Sequence, residues 1–145
     1  MITTKRGSIF DSKADVLVCP VNCVGVMGKG LALEFKRRFP ELLQRYHDEC
    51  MSGSLYGGGA ELVRPAGVPI IIAATKYHWR EPSNLRYVEN CIKGIRNIMT
   101  TRFWTSIAIP QLGCGCGGLE WADVWPLYEK HLGDLAATVE VWIYE

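Results

Sequence analysis

Two short apolar segments of this chain end in glycine-rich loops, and a helical pattern follows each loop. The first segment leads from ADVLVCPVN (14–22) into VGVMGKG (24–30), and the second leads from TSIAIPQL (105–112) into GCGCGG (113–118). Short apolar runs rich in branched residues are typical of strands buried on both faces, and strands that lead through loops into helices are typical of α/β proteins. The pattern predicts a ligand site beyond the carboxyl ends of the two strands.

Strand and helix patterns alternate along the rest of the chain. Leu31, Phe35 and Phe39 recur every four residues, for example, which predicts one amphipathic helix. We expect helices over about 29–39, 40–51, 85–99 and 121–132, and strands over about 14–22, 57–65, 69–75, 105–112 and 138–144. This order predicts a single α/β domain over residues 1–145, with helices on both faces of a mixed sheet.

Composition and charge limit the function. The chain has 145 residues, 21% of them charged, and a net charge of +1, so any nucleic-acid-binding surface must be local. No apolar run approaches the roughly 18 residues of a membrane span, and the amino terminus lacks a signal-peptide pattern. We therefore expect a cytoplasmic protein that does not contact membranes.

Cysteine and histidine residues do not form a metal-binding pattern. The pairs Cys19/Cys23 and Cys114/Cys116 lack the regular spacing of zinc ligands, and none of the 3 histidines lies in a ligand-like pair. We interpret the 6 cysteines as buried free thiols of a reducing compartment and expect no metal.

The glycine loops do not match the common phosphate-binding fingerprints. A P-loop would require glycine in place of Cys23 and serine or threonine in place of Gly30, and a dinucleotide fingerprint that starts at Gly28 would require glycine in place of Leu33. Glycines let a backbone approach a ligand closely and offer its N–H groups to ligand oxygens. Two such loops at equivalent strand ends favour a bound sugar diphosphate over simple tight turns.

Three segments resemble the macrodomain family: PVNCVGVMGKGLALEFKRRFP (20–40), ATKYHWR (74–80) and IPQLGCGCGGLEW (109–121). Within that family they are most similar to the DarG-type DNA ADP-ribosyl glycohydrolases, antitoxins that remove ADP-ribose from DNA bases. The resemblance covers nearly the whole chain. It implies a three-layer α/β/α sandwich that needs no cofactor and binds ADP-ribose and ADP-ribosylated single-stranded DNA. It also implies a monomer, with a cognate DNA ADP-ribosyltransferase toxin as a further partner.

The resemblance assigns ligand-binding roles to both glycine loops. It implies that residues 22–30 surround the distal ribose, with Asn22 bonded to its hydroxyls, and that residues 113–119 hold the diphosphate. The ligand-binding residues implied are Ser8, Ile9, Asn22, Val26, Met27, Gly28, Gly30, Leu31, Thr75, Leu112, Gly113, Cys114, Gly115, Cys116, Gly117, Gly118 and Leu119.

Two positions depart from patterns found elsewhere in the family. Many macrodomains have an aspartate that holds adenine just after the first strand, where this chain has Ser8, so we expect adenine to rely more on the backbone of Ile9. Relatives that cleave ADP-ribose from protein carboxylates have an aspartate in the second glycine loop, where this chain has Gly117. DarG-type sequences also have glycine there, which favours the narrower assignment.

Lys76 is the candidate catalytic residue. It follows the apolar strand PIIIAAT (69–75) directly, and Lys29 is the only charged residue inside the glycine loops. The resemblance implies that catalysis depends on Lys76. Cleavage at an anomeric carbon passes through an oxocarbenium-like transition state, and a lysine could act as acid, base or nucleophile. The alternative is an ordinary surface lysine.

The segment after Lys76 is the candidate DNA-binding surface, and its residues are His78, Trp79, Arg80 and Ser83. Aromatic side chains stack on unpaired bases, and arginine reaches phosphates. A base inside a duplex could not enter the site, so we expect single-stranded or flipped substrate. The alternative places Trp79 in the core. Whether thymine or guanine carries the ADP-ribose stays open, as do two other functions: hydrolysis of free ADP-ribose derivatives and non-catalytic ADP-ribose binding.

Overall fold

Strands and helices alternate through residues 1–144, the part of the chain that the computed structural model describes. The strands are β1 (Ile2–Arg6), β2 (Val16–Val21), β3 (Ala60–Val63), β4 (Ile70–Ala74), β5 (Ser106–Pro110) and β6 (Thr138–Ile143). The helices are α1 (Gly30–Arg38), α2 (Leu42–Met51), α3 (Leu85–Thr100) and α4 (Trp121–Leu132). The helices and strands predicted from the apolar patterns are therefore confirmed, with ends shifted by a few residues.

The strands form one mixed sheet in the order β1-β6-β5-β2-β4-β3. Only β3 runs antiparallel to its neighbour, β4, and the other neighbouring strands are parallel. The carboxyl ends of β2, β4 and β5 consequently lie at the same edge of the sheet. This edge is where the sequence predicts the ligand site.

Two apolar cores lie on the opposite faces of the sheet. One contains Ile92 of α3 and Tyr128 of α4, and the other contains Phe35 of α1 and Tyr46 of α2, all 0% exposed. Successive residues of β4 alternate between the two cores, and the whole strand is buried. Burial on both faces explains why β4 reads as a continuous apolar run, and it confirms the predicted α/β/α sandwich.

The first strand and the short turn after it carry no apolar pattern of their own. β1 has the sequence ITTKR, and it pairs with β6 at the edge of the sheet, where Ile2 lies opposite Val139. A single 3₁₀ turn follows at Ile9–Asp11. An edge strand with polar residues gives little periodicity, so β1 is recognised from its pairing rather than from its sequence.

The cysteines are only partly as expected. Cys19, Cys23 and Cys91 are buried free thiols, but Cys116 is exposed because it lies near the tip of a loop. Burial raises the pKa of the Cys23 thiol to about 11 and that of the Cys91 thiol well above its ordinary value. Among residues 1–144, no helix is long and apolar enough to span a membrane.

Candidate functional site

Three loops extend from the carboxyl ends of neighbouring parallel strands. The first glycine loop (22–29) follows β2, the lysine loop (75–84) follows β4, and the second glycine loop (111–119) follows β5. Because β2 lies between β4 and β5, the first glycine loop starts between the other two. The sheet therefore brings together all the segments in which the sequence predicts catalysis or ribose binding.

Direct contacts join these loops to one another. The backbone N–H of Cys23 donates to the carbonyl of Tyr77 (2.7 Å), and that of Ser83 donates to the carbonyl of Gly117 (2.9 Å). A Cβ atom added to Gly30, at the start of α1, would lie 3.2 Å from the Cys116 sulfur. The prediction that the two glycine loops face each other is thus confirmed, and the lysine loop is bonded to both.

The first glycine loop is built around the side chain of Asn22, which is only 7% exposed. Its Oδ1 accepts from the Val24 N–H (3.0 Å), and its Nδ2 donates to the Val26 carbonyl (2.9 Å). These two bonds determine the orientation of the amide, because a backbone N–H can only donate. Among residues 1–144 the second hydrogen of Nδ2 has no acceptor, which is compatible with the predicted contact with ribose hydroxyls.

Asn22 is hydrogen-bonded to a buried tyrosine, Tyr46, which the sequence analysis did not single out. The Tyr46 hydroxyl lies 2.5 Å from Asn22 Oδ1 and 2.8 Å from the Asn22 carbonyl oxygen, and the Tyr46 side chain is 0% exposed. Burial raises the pKa of Tyr46 far above its ordinary value, so the hydroxyl stays protonated and can donate. Its spacing from Leu42 on α2 indicates a buried face, but no local pattern identifies Asn22 as its partner.

Gly25 and Gly28 of the first glycine loop differ in how strongly the surrounding structure requires glycine. Gly25 has a positive φ of 79°, and a Cβ there would lie 2.8 Å from the His47 ring. Gly28, in contrast, has open space where a side chain would stand, with Val26 Cγ1 nearest at 3.7 Å. Neither backbone conformation nor protein packing requires glycine at position 28.

The second glycine loop presents unpaired backbone donors. Gly113 and Gly118 both have φ of 78°, and the Leu119 N–H closes the loop by donating to the Gly113 carbonyl (2.9 Å). Between these ends, the N–H groups of residues 115–117 have no acceptor among the residues that the structure describes. Consecutive free N–H groups of this kind are able to bind an anion together.

A second buried tyrosine holds the start of this loop. The Tyr128 hydroxyl accepts from the Leu112 N–H (2.9 Å) and donates to the carbonyl of Pro110. Tyr128 and Leu112 are both 0% exposed. Each glycine loop is therefore anchored to the helix layer by one tyrosine hydroxyl, on opposite faces of the sheet.

Lys76 lies at the carboxyl end of β4, one residue beyond Thr75, and is partly exposed. Its carbonyl oxygen lies 3.7 Å from the Cys23 sulfur, which places its backbone against the first glycine loop. Lys29 is exposed and immediately precedes α1. The loop that contains Lys76 is hydrogen-bonded to both glycine loops, whereas Lys29 belongs to one of those glycine loops.

The residues after Lys76 form an exposed aromatic and cationic surface. Trp79 is 47% exposed, its ring centroid lies 5.4 Å from that of His78, and the Arg80 guanidinium lies 4.7 Å above the Trp79 ring. The alternative that Trp79 is a core residue is therefore wrong. Ser83 is different: it is only 6% exposed, and its hydroxyl donates to Thr75 Oγ1 (3.2 Å), which argues against the direct DNA contact predicted for it.

Several other predicted ligand residues are interior side chains. Thr75 is 3% exposed, Leu112 is 0% and Ile9 is 3%, so these residues offer almost no accessible surface to a ligand. Ser8 caps the turn after β1, where its Oγ accepts from the Phe10 N–H (3.3 Å). The predicted adenine contact of the Ser8 side chain would therefore compete with this cap.

Two open cavities lie away from the three loops. One of about 480 Å³ contacts the starts of β2 and β4, at the edge of the sheet opposite the loops. The other, of about 330 Å³, lies between α2 and β3. Neither is lined by a residue of the three loops, so the candidate site is a surface formed by loops rather than one of these cavities.

Fold and site together define an α/β/α protein whose glycine loops present backbone N–H groups and one asparagine side chain at the carboxyl ends of parallel strands. The family model described as "Macro domain" matches residues 18–128. The chain belongs to the macrodomain family.

Similarity to characterised relatives covers most of this chain. It is 41% identical to the DNA ADP-ribosyl glycohydrolase of Mycobacterium tuberculosis, over 86% of this chain and 36% of that protein. It is 40% identical to the DNA ADP-ribosyl glycohydrolase of Thermus aquaticus, over 100% of this chain and 41% of that protein. The chain thus spans well under half the length of these curated relatives.

Solved structures show the same similarity. The macrodomain of Mycobacterium tuberculosis DarG superposes with a TM-score of 0.91 at 38% identity, over 99% of this chain and 97% of that one. Thermosipho africanus DarTG, solved in complex with ADP-ribose, superposes with a TM-score of 0.88 at 33% identity, over 94% of this chain and 40% of that one. The sequence of the Thermosipho africanus protein is described as a fusion of a DNA ADP-ribosyl transferase with a DNA ADP-ribosyl glycohydrolase.

Proposed function

We propose that this protein is a DNA ADP-ribosyl glycohydrolase, which removes ADP-ribose from modified bases of single-stranded DNA. One observation carries the proposal beyond the similarity to named relatives. The loop that contains Lys76 and the exposed Trp79 is hydrogen-bonded to both glycine loops, through Tyr77 to Cys23 and through Ser83 to Gly117. The lysine loop therefore carries a surface suited to nucleic acid and is bonded directly to the two loops suited to a sugar diphosphate.

In this proposal ADP-ribose lies across the two glycine loops. The diphosphate accepts from the free N–H groups of residues 115–117, and the distal ribose accepts from the free Nδ2 hydrogen of Asn22. The open space beside Gly28 leaves room for the ribose and for the bond to the base. Adenine contacts the backbone near Ser8 and Ile9. These contacts explain why the first loop does not match a triphosphate fingerprint.

Hydrolysis breaks the bond between the anomeric carbon of the distal ribose and a base nitrogen. Water supplies hydroxide to the carbon and a proton to the base, through an oxocarbenium-like transition state. We assign Lys76 as the group that assists this step, as acid, base or nucleophile. Its place at the end of β4, with its carbonyl against Cys23, supports the assignment.

His78, Trp79 and Arg80 are proposed to contact the DNA strand. A base stacked on an aromatic side chain gains about 1–3 kcal/mol, which is enough to hold an unpaired base beside the ribose site. Arg80 already lies over the Trp79 ring, so its cation is positioned to reach a phosphate next to a base stacked there. Binding of this kind requires a single-stranded or flipped base.

The test compares the wild-type protein with Lys76→Ala on a single-stranded oligonucleotide that carries ADP-ribose. We expect Lys76→Ala to bind free ADP-ribose within a few-fold of the wild type but to release it from DNA about 100-fold more slowly. Lys76→Arg should not restore the rate, since arginine keeps its proton in proteins. Lys29→Ala is the matched control and should keep most of the activity.

Two results would contradict this function. Binding of ADP-ribose without release from the oligonucleotide by the wild type would favour a non-catalytic binding module. Release from free ADP-ribose derivatives but not from DNA would favour a small-molecule hydrolase. Wild-type rates for Lys76→Ala would move the catalytic assignment to Lys29.

We further propose that residues 1–145 form a single macrodomain that acts as a cytoplasmic monomer. A DNA ADP-ribosyltransferase is the proposed partner enzyme, because the Thermosipho africanus relative is described as a fusion with such a transferase. Size-exclusion chromatography with light scattering tests the oligomeric state.

A further inference from the structure

Buried polar side chains are concentrated at the candidate site. Apart from tyrosines and cysteines, the buried polar side chains in the part of the chain that the structure describes are those of Asn22, Thr75 and Ser83, and all of them belong to the three loops. A buried hydroxyl is costly unless it is hydrogen-bonded. Ser83 Oγ meets this need by donating to Thr75 Oγ1 (3.2 Å), yet an apolar pair would fill the same space without that requirement.

The Ser83–Thr75 bond joins the two ends of the lysine loop. A second bond between these ends runs from the Asn84 N–H to the Thr75 carbonyl (3.2 Å). The Asn84 side chain in turn caps α3 by accepting from the Arg86 N–H (2.8 Å). Thr75 directly precedes Lys76, so these bonds hold the backbone at Lys76 against the start of a long helix.

Ser83 also supports the second glycine loop. Its backbone N–H donates to the Gly117 carbonyl, and a Cβ on Gly117 would lie 2.1 Å from Ser83 Oγ and 2.7 Å from Ser83 Cβ. A Cβ on Gly113 would lie 3.2 Å from Ser83 Cβ. Position 117 therefore lacks the space for any side chain, a carboxylate included. Ser83 is short and buried, and it cannot move aside as a long surface side chain would.

We propose that Ser83 is a positioning residue that sets Lys76 relative to the diphosphate-binding loop. Its hydroxyl acts on the Lys76 side, through Thr75, and its backbone and Cβ act on the Gly117 side. The inference rests on the proposed function, because it assigns Ser83 a role in the reaction attributed to Lys76. It also replaces the direct DNA contact that the sequence predicts for Ser83.

Two substitutions separate the contacts of Ser83. Ser83→Ala removes the bond to Thr75 but keeps the backbone bond to Gly117, so we expect kcat on ADP-ribosylated oligonucleotide to fall about tenfold while the Kd for free ADP-ribose stays within about twofold. Ser83→Thr keeps the hydroxyl but adds a methyl group beside the second glycine loop, so we expect that Kd to rise at least about fivefold.

A control and a double variant test for a merely structural role. Ser106→Ala removes a bond of similar length, from the Asp15 N–H (3.0 Å), at the opposite end of β5, and should leave both constants unchanged. Thr75→Val removes the acceptor of the Ser83 hydroxyl, so its loss of kcat should not add to that of Ser83→Ala. Additive losses, or a Ser83→Ala variant that is less thermally stable but has wild-type kcat, would overturn the proposal.

The binding measurement separates this proposal from the proposed function. A wild-type protein that releases no ADP-ribose from DNA would contradict the glycohydrolase assignment and, with it, the role of Ser83 in catalysis. The Kd of Ser83→Thr for free ADP-ribose is measured without any reaction. Wild-type affinity in that variant overturns the contact with the second glycine loop, whatever the activity on DNA.

Discussion

Replacing Tyr46 by phenylalanine tests whether the ribose side of the site is organised before ligand binds. The substitution keeps a buried aromatic ring and removes one hydroxyl, which lies 2.5 Å from Asn22 Oδ1 and 2.8 Å from the Asn22 carbonyl oxygen. The Val24 N–H still donates to Oδ1 after the change. Tyr46→Phe therefore removes a single hydrogen-bond donor, the hydroxyl, which lies within reach of two acceptor atoms of Asn22.

The size of the effect follows from that geometry. A hydroxyl has one hydrogen, so its removal leaves one buried acceptor without a donor, at a cost of about 1–3 kcal/mol. Because Oδ1 keeps its bond to Val24, we expect the lower part of this range, about 1–2 kcal/mol, and a fall in Tm of roughly 3–8 °C. A less restrained Asn22 amide should also weaken ADP-ribose binding about fivefold, which corresponds to about 1 kcal/mol.

The assay is calorimetric titration with ADP-ribose, in the wild type and in an Asn22→Ala background. If Tyr46 acts through Asn22, Tyr46→Phe should weaken binding in the wild type and change it little once Asn22 is absent. Tyr128→Phe is the matched control, because it removes a buried hydroxyl that holds Leu112 in the other glycine loop. Its effect should be the same in both backgrounds. Equal losses for Tyr46→Phe in the two backgrounds would refute the reasoning.

Three further substitutions test the site and its surroundings. Gly28→Val should reduce ADP-ribose affinity at least about tenfold with little change in Tm, because position 28 has open space in the protein alone; unchanged affinity would mean that the loop is only a turn. Trp79→Ala should raise KM for ADP-ribosylated oligonucleotide about tenfold and leave the Kd for free ADP-ribose unchanged, and a loss in both would show that Trp79 supports the sugar site itself. Burial and the neighbouring Glu49 carboxyl raise the pKa of Glu61 to about 7, so this group stabilises the fold at acidic pH and loses that contribution as the pH rises through 7. Glu61→Gln should therefore gain about 1–2 kcal/mol relative to the wild type between pH 4.5 and pH 8 in urea unfolding, after allowance for solvent screening, and a constant difference would show that the pKa of Glu61 is not raised in the folded protein.

The regular elements were largely predictable from sequence, and the reason is their burial. β4 is buried throughout, and α3 places Val88, Ile92 and Ile95 in one core, so both carry strong patterns. β1 has one apolar residue in five and lies at an edge, where no pattern is required. Prediction succeeded where one element buries its own apolar side chains and failed where an element depends on a distant partner.

The same division applies to the site. The glycine loops and Lys76 could be located because they follow recognisable strands. The bonds that organise them could not, since Tyr46 is 24 positions from Asn22, and Ser83 meets Gly117 across a still longer separation. No local pattern encodes such pairs. The exposure of Trp79 was open for a related reason: a single aromatic residue in a loop has no periodicity that distinguishes core from surface.

The pairing of β1 with β6 affects how the chain folds during synthesis. β1 pairs with β6 alone, and Ile2 lies opposite Val139, so the first strand has no partner in the sheet until the last one has been made. At ribosomal rates of about 5–20 residues per second, that interval is roughly 7–30 seconds. An apolar strand left unpaired for so long would invite aggregation. The threonines and basic residues of ITTKR make β1 polar, so exposure of this unpaired strand to water is tolerated while the rest of the sheet forms.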